Sequence, residues 1–433
     1  MAADWTKEFV DDTPIEYILT VPAVWSDKAK SDTLWCASQA GFGPMEKIKL
    51  ITEPEAAAVY TFTELPEYSV RKGEIFITCD AGGGTVDLTT YKVAADAPML
   101  RVNEITEGDG GLCGSVYLNR RFEELVRKKI GKKLDALPKT TSLEAMSEIQ
   151  RIFNEDIKPD FGTSDDQDKI YSIEIPPSIA DDETTGVQDG NLIVTSDELK
   201  EVFDAVNRMI FQLIVGQIEK VQEAPGNLEV SAILLVGGFG SSEYLRKEIE
   251  NHLIEIGEEI KVIQPVNAWS AVTRGAMLRA LQGDIVETRI IRACYGITYR
   301  TLWDPDVHES IKHRRTAEKN KYGDEFSGKK PVKFPFYRTV TDLKNLVFTT
   351  NLLIYTGKGE APYFKDNDCK VLATLKADLS SISPSEFELV TSASGDFYKV
   401  YYDIEMIFEA AISFRLLFKG KAMGEVGVDY GRR

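Results

Sequence analysis

From Ile15 to Gly283 the apolar positions keep switching between short blocks and a helical spacing. The block "IEYILTV" predicts a buried strand closed by Pro22. Ser26 then caps a predicted helix running to Gly41, with Leu34 and Ala37 on one face and Gly41 as its stop. "KIKLI" predicts a short strand, and Pro54 stands at the favoured first turn of the alanine-rich helix "PEAAAVYTF". Two strands flank the glycines of "ITCDAGGGTVDLTTYKV" (Ile77 to Val93), and "MLRVNEI" predicts another. Residues 115–130 and 142–158 have helical spacing, "IYSIEI" reads as a strand, and Thr195 or Ser196 caps a helix to about Gln222. The strand "AILLV", a helix from about Ser241 to Ile256, the strand "KVI" and a helix from Ala268 to Leu281 complete the alternation. Alternating strands and helices predict an α/β fold.

Beyond Gly283 the helical period disappears. "VFTTNLLIY", "CKVLATLKA", "YKVYYDIEMIFEAAISFRLLF" and "GEVGVDY" are short or alternating apolar runs separated by Gly, Pro, Asp and Ser, which predicts a β-rich module over 284–433. The span "IKHRRTAEKNKYGDEFSGKKP" is basic and polar and is expected to be a solvated loop.

Charge narrows the choice of partners. The 433 residues carry 51 Lys+Arg against 69 Asp+Glu, a net charge of −18, which leaves no basic excess to displace counterions from a nucleic acid. The segment "MAADWTKEFVDDT" is acidic and lacks the apolar core of a secretory signal, and no stretch reaches the length of a membrane helix. Five scattered cysteines (Cys36, Cys79, Cys113, Cys294, Cys369) lack metal-site spacing and are expected to be reduced thiols in a cytoplasmic protein. With three histidines in the whole chain, two of them His308 and His313, a histidine-based or zinc centre is not expected.

The candidate chemistry lies in the glycines. Gly82, Gly83 and Gly84 join two strands, so the turn can take positive φ and its amides can converge on phosphate oxygens. The same residues fit a hairpin that binds nothing. Asp80 tips the balance, because a charge ending an apolar strand suits a ligand of Mg²⁺-bound water. A second group, "EGDGGLCGS" (Glu107 to Ser115), leads into a helix and could hold an anion at its N-terminus or simply form a turn and cap. A third, "LLVGGFGSSEYL" (Leu234 to Leu245), passes from a buried strand through glycines into a helix, a place where nucleotides bind.

Together these residues resemble the nucleotide-binding domain of the heat shock protein 70 family, within the actin-like ATPase superfamily. "TVPAVWSD" is similar to the family's interlobe proline segment, "ITEPEAAAVY" to its interlobe motif and "CDAGGGTVDLTTYKV" to its second phosphate motif. "EGDGGLCGSVYLNRRFEE", "LLVGGFGSSEYLRKEI" and "AWSAVTRGAMLRAL" resemble the glycine-rich segment, the adenosine motif and the second connecting helix. They occur in the family's order over about residues 15–283, and the look is that of its divergent branch with an atypical C-terminal part. The resemblance implies an actin-like ATPase (ribonuclease H-like) fold, with partial lobe I at 1–93, lobe II and the return to lobe I at 94–283, and a reduced substrate-binding-like β domain at 284–433. It implies ATP or ADP and Mg²⁺ as cofactors, with client polypeptides and co-chaperones as partners. Asp80 would orient Mg²⁺ waters. Gly82, Gly83, Gly84 and Thr85 would meet the β/γ-phosphates, Thr85 near the attacking water. Glu53 would support Mg²⁺, Asp87 would be the motif's second carboxylate, and Gly114, Gly237 and Gly238 would border phosphate, ribose or adenine. Pro22 would be the interlobe pivot; on residues alone it is a strand terminator, and Glu53 alone favours a helix start.

Departures from the pattern set further expectations. The family's D-x-G-T-type first phosphate loop and its catalytic lysine do not occur in residues 1–79, so the chain reads as N-terminally truncated relative to the family. Phe239-Gly240-Ser241 replaces a different triplet, and Ser115 and Val116 replace an acidic pair. Charge-assisted hydrogen bonds are worth roughly 1.5–3 kcal/mol each, so losing about three removes roughly 5–9 kcal/mol. Micromolar binding amounts to only about 8 kcal/mol. Impaired ATPase activity is therefore expected, since phosphoryl transfer rests on positioning and charge. The alternatives are a non-catalytic interaction protein or truncated gene product, a sugar kinase of the same superfamily, and an actin-like filament former. The "EPEAAA" and "VPAVW" segments and the β-rich tail weigh against the sugar kinase, and the tail weighs against the filament.

Overall fold

The structure is a computed structural model describing residues 13, 15–64, 71–97, 99–163, 169–226, 228–291, 293–297, 325–327, 331–355, 357, 368–391 and 395–431. Residues 1–12 of the acidic N-terminal segment and most of the basic span Ile311 to Pro331 lie outside these residues.

Strand β1 (Tyr17–Val21) pairs in parallel with β2 (Ile48–Thr52) as a two-stranded sheet. Between them runs α1 (Asp27–Ala37), whose start Ser26 caps through Oγ to the Ala29 amide. The expected stop acts as expected: the helix passes into a wider turn at Ser38–Phe42, where Gly41 has φ +90°. Helix α2 (Glu53–Glu64) follows β2 directly, and its residues Ala56, Ala57, Ala58, Val59, Tyr60 and Thr61 are all buried.

The main sheet is built on the glycine hairpin, β3 (Ile75–Ala81) and β4 (Val86–Ala95). Its neighbours are β5 (Arg101–Glu104), the short β6 (Asp109–Gly111), and, parallel to β3, the fully buried β10 (Ala232–Val236) with β11 (Lys261–Ile263). Apolar blocks buried on both faces are what parallel pairing requires. The sheet takes strands from both sides of the division expected between residues 93 and 94. It also takes β12 (Val286–Ile290), parallel to β5, and β14 (Glu325–Ser327), a strand inside the span expected as loop.

One face of this sheet is covered by α3 (Ser115–Asp135), α4 (Lys139–Ile152), α5 (Ser196–Glu223) and α6 (Glu243–Glu255), closing the largest core. Thr195 caps α5 in a reciprocal capping box with Glu198. Beyond β7 (Ile170–Glu174), the strand expected at "IYSIEI", two further strands, β8 (Val187–Gln188) and β9 (Asn191–Thr195), complete a small sheet. On the other face α2 crosses α7 (Ala271–Gln282), and the two helices close against Phe76, Tyr91 and Val236. The approach is so tight that a Cβ on Gly275 would collide with the Ala56 carbonyl.

From Cys294 onward the described chain is strand and turn. One sheet holds β13 (Cys294–Ile297), β16 (Val347–Tyr355), β17 (Cys369–Asp378) and β22 (Gly427–Asp429). The other holds β15 (Val332–Val340), β18 (Glu388–Val390), β19 (Phe397–Phe408), β20 (Ile412–Phe418) and β21 (Lys421–Glu425). Their inner faces share a core of Phe334, Leu352, Leu375, Ile404 and Phe414. All five cysteines are free thiols. Among the described residues no helix is long and apolar enough to cross a membrane.

Candidate functional site

Register brings the carboxylates together. Asp80, the penultimate residue of β3, pairs directly with Asp87 of β4, and residues directly opposite in an antiparallel pair share a face. Glu53, the first residue of α2, is close enough to repel this pair. Burial, with Glu53 and Asp87 beside it, pushes the Asp80 carboxyl up to about 7. Burial and Asp87 likewise push Glu53 up to about 7. Three carboxyl groups held at this separation resist ionising together, and a cation would relieve them. Among the described residues no three His, Cys, Asp or Glu side chains converge closely enough to ligate a metal directly.

The turn Gly82–Thr85 is tied down from behind. The Gly82 amide donates to the Thr85 carbonyl at 2.9 Å. The carbonyls of Gly82, Gly83 and Gly84 accept from the amides of Ser115 (3.1 Å), Val116 (2.9 Å) and Gly114 (3.3 Å). The amides of Gly83, Gly84 and Thr85 donate to no protein group among the described residues, and the space over Gly83 and Gly84 is open. The three glycine carbonyls thus face the start of α3, and the amides of Gly83, Gly84 and Thr85 form a row of unclaimed donors.

This arrangement gives the second glycine group a different task from the anion site one of its readings suggested. The first amides of α3 are occupied by the hairpin, so the segment acts as a brace. A Cβ on Gly114 would stand 2.6 Å from the Gly83 carbonyl carbon and oxygen, which is why only glycine fits there. Gln217 of α5 holds the other end of the segment. Fully buried, it accepts from Thr90 (2.8 Å) and Thr106 (3.0 Å) and donates to the Glu107 carbonyl (3.1 Å). A lone glutamine in a helical stripe carries no signal in sequence, and it went unnoticed there.

The third group closes the floor. Gly237 follows β10 with φ +90°, and a Cβ there would collide with the Asp80 carboxylate. The amides of Phe239 and Gly240 both donate to the Ala81 carbonyl, at 2.9 and 3.0 Å. Gly238 is exposed beside open space. Asp80, Gly82–Thr85, Gly114 and Gly237 are thus one constellation, and Gly238 borders it. Pro22 is not in it. It ends β1 half-buried, and the residues after it run past the site, a Val24 methyl lying 3.3 Å from where a Gly110 Cβ would be. No Lys or Arg occurs in Asp80–Asp87, Glu107–Ser115 or Leu234–Leu245.

A second cluster was not foreseen. Glu55, 1% exposed, holds Arg289 at 2.7 Å and Arg279 at 3.3 Å, and Arg279 also reaches Asp284 at 3.3 Å. It joins α2, α7 and β12 two residues from Glu53.

A family model described as "Domain of unknown function (DUF8340)" matches residues 70–261. Among curated proteins the chain is similar to Heat shock 70 kDa protein 12A of Homo sapiens, 22% identical over 355 residues, covering 66% of this chain and 51% of that protein. Heat shock 70 kDa protein 12B of Homo sapiens is 23% identical over 367 residues, covering 69% and 52%. Chaperone protein DnaK of Thermoplasma volcanium is 24% identical over 385 residues, covering 83% and 52%. The chain is a distant relative of the heat shock protein 70 family. Its homologues in that family imply an actin-like ATPase fold for the α/β part. The chain spans about half the length of the curated relatives it matches.

Proposed function

We propose that this heat shock protein 70-like chain binds ATP or ADP with Mg²⁺ between two lobes, the phosphates lying on the Gly82–Thr85 turn. The observation that carries this reading is the row of unclaimed amides at Gly83, Gly84 and Thr85, braced from behind and set beside Asp80. Asp80 would hold Mg²⁺ through its waters, supported by Glu53 and Asp87, and the cation would neutralise phosphate charge in a site whose loops carry no Lys or Arg. Thr85 would face the γ-phosphate. Gly237 and Gly238 would border the nucleoside side, and Pro22 would couple the cleft to the β-rich region at 284–433. That region would take client polypeptides, in a cytoplasmic, chaperone-type role.

For the 433-residue polypeptide by itself we expect weak binding and slow turnover, because residues 1–79 contain no D-x-G-T segment to oppose the Gly82–Thr85 turn. The same reasoning keeps a second reading open, a non-catalytic interaction protein with the fold as scaffold. Calorimetric titration with MgADP separates site from scaffold: measurable heat that Asp80→Asn abolishes supports the site, and no heat from the wild-type chain sinks it. Steady ATP hydrolysis abolished by Asp80→Asn would rule out the scaffold reading.

A further inference from the structure

Behind the carboxylates the same sheet face carries a second polar feature. Thr78 pairs directly with Thr89, two residues along from the Asp80–Asp87 pair, so all four side chains share that face. Thr78 is 0% and Thr89 1% exposed, and neither hydroxyl has a hydrogen-bond partner among the described residues. Thr52, which ends β2 and precedes Glu53, is buried beside Tyr91. A cavity of about 290 Å³ opens onto Thr52, Thr89 and Tyr91. Its other walls are the Ala23–Asp27 segment after Pro22 and, from the β-rich region, Phe408 and Ile412. A single water occupies roughly 30 Å³, and buried hydroxyls without protein partners are commonly bridged by ordered water.

We infer that this cavity is an internal hydration site, an ordered water cluster anchored on the hydroxyl of Thr89. It lies where three elements meet: the main sheet, the segment following Pro22, and the β-rich region. The ligand chemistry is that of a small neutral donor and acceptor, because four charged side chains lining the cavity are engaged already. Arg289 is held by Glu55 at 2.7 Å, Asp27 accepts from the Tyr295 hydroxyl at 3.0 Å, Glu104 accepts from the Ile290 amide at 3.1 Å, and Lys30 donates to the Ala23 carbonyl at 3.3 Å. The β-rich region therefore rests on a wet seat, and waters can exchange there without exposing a dry core. The inference does not depend on nucleotide binding.

Replacing threonine with valine keeps the shape and gives an effect whose sign decides the matter. A dry, unsatisfied hydroxyl would make Thr89→Val stabilising, since the uncompensated group is removed. A hydroxyl bonded to ordered water makes the same change destabilising. We expect the thermal midpoint of the 433-residue chain to fall by roughly 2–4 °C in Thr89→Val, with Thr89→Ser restoring it. An unchanged or raised midpoint overturns the inference. Should the valine variants fail to fold, crystals of the wild-type chain decide instead. Ordered water within hydrogen-bonding distance of Thr89 Oγ1 supports the inference, and a dry cavity there overturns it.

Discussion

Replacing Arg289 with methionine tests whether the Glu55 cluster is as buried, and as consequential, as its geometry indicates. Glu55 is 1% exposed and has two cationic partners, Arg289 Nη2 at 2.7 Å and Arg279 Nε at 3.3 Å. Methionine keeps most of the aliphatic stem and removes the charge. Stripping one partner from a buried ion pair costs roughly 3–5 kcal/mol, chiefly because the remaining charge is left uncompensated. Arg279 stays in reach but is shared with Asp284, so the lower end, about 3 kcal/mol, is expected for Arg289→Met. Glu55→Gln alone leaves two guanidinium groups without their common counter-ion and is also destabilising. In the double variant both ends of the 2.7 Å pair are gone, and the loss should fall short of the sum by about 1–3 kcal/mol. Urea denaturation with linear extrapolation reads all four corners of this cycle. An Arg289→Met loss below about 1 kcal/mol would mean a solvated pair. Strictly additive losses would mean that the contact does not couple α2 to β12.

Further expectations follow from the site itself. Asp80 and Glu53 rise from 3.8 and 4.5 to about 7 on folding, so the folded chain holds these protons more tightly than the unfolded one. Their stability contribution is present at low pH and is lost as pH climbs from about 4 to about 7. Asp80→Asn should flatten this decline, and MgADP should raise the thermal midpoint more at about pH 7.5 than at about pH 5; an equal rise at both would refute the role of the carboxylates. Gly114→Ala places a methyl group 2.6 Å from the Gly83 carbonyl, and a loss of roughly 1–3 kcal/mol together with weakened MgADP binding is expected. Unaltered calorimetric affinity would show that the brace is dispensable. Tyr295→Phe removes the 3.0 Å bond to Asp27 and should cost about 1 kcal/mol, with faster proteolysis at the junction as the readout. An unchanged cleavage rate would count against that bond as a tether.

What the sequence made legible was whatever is local. The three glycine segments, the caps at Ser26 and Thr195, and the parallel strands "AILLV" and "KVI" all announce themselves through residue type over a few positions. The α/β part and its kinship with the heat shock protein 70 family followed from their order. What stayed hidden depends on partners far along the chain. Gln217 matters because Thr90 and Thr106 reach it across more than a hundred positions. Glu55 gives no signal of its own in the sequence, and only folding brings it Arg279 and Arg289. Strands β8 and β9 sit beside Asp, Thr and Gly, whose turn chemistry masks the short apolar run of "NLIVT". The single-step alternation of β14 is too short for any periodicity to register.

The contact between α3 and the hairpin also has a mechanical side. A helix of 21 residues is about 32 Å long, and its first amides are bolted to the backs of three successive glycines. At its other end Lys133 is ion-paired with Asp182 at 3.0 Å, next to the small β7–β9 sheet. A rotation of about 5° about that end would carry the bolted turn by roughly 3 Å, a whole hydrogen-bond length. Whatever grips the small sheet therefore has its hand near the pivot of a long lever whose far end carries the row of amides at Gly83, Gly84 and Thr85.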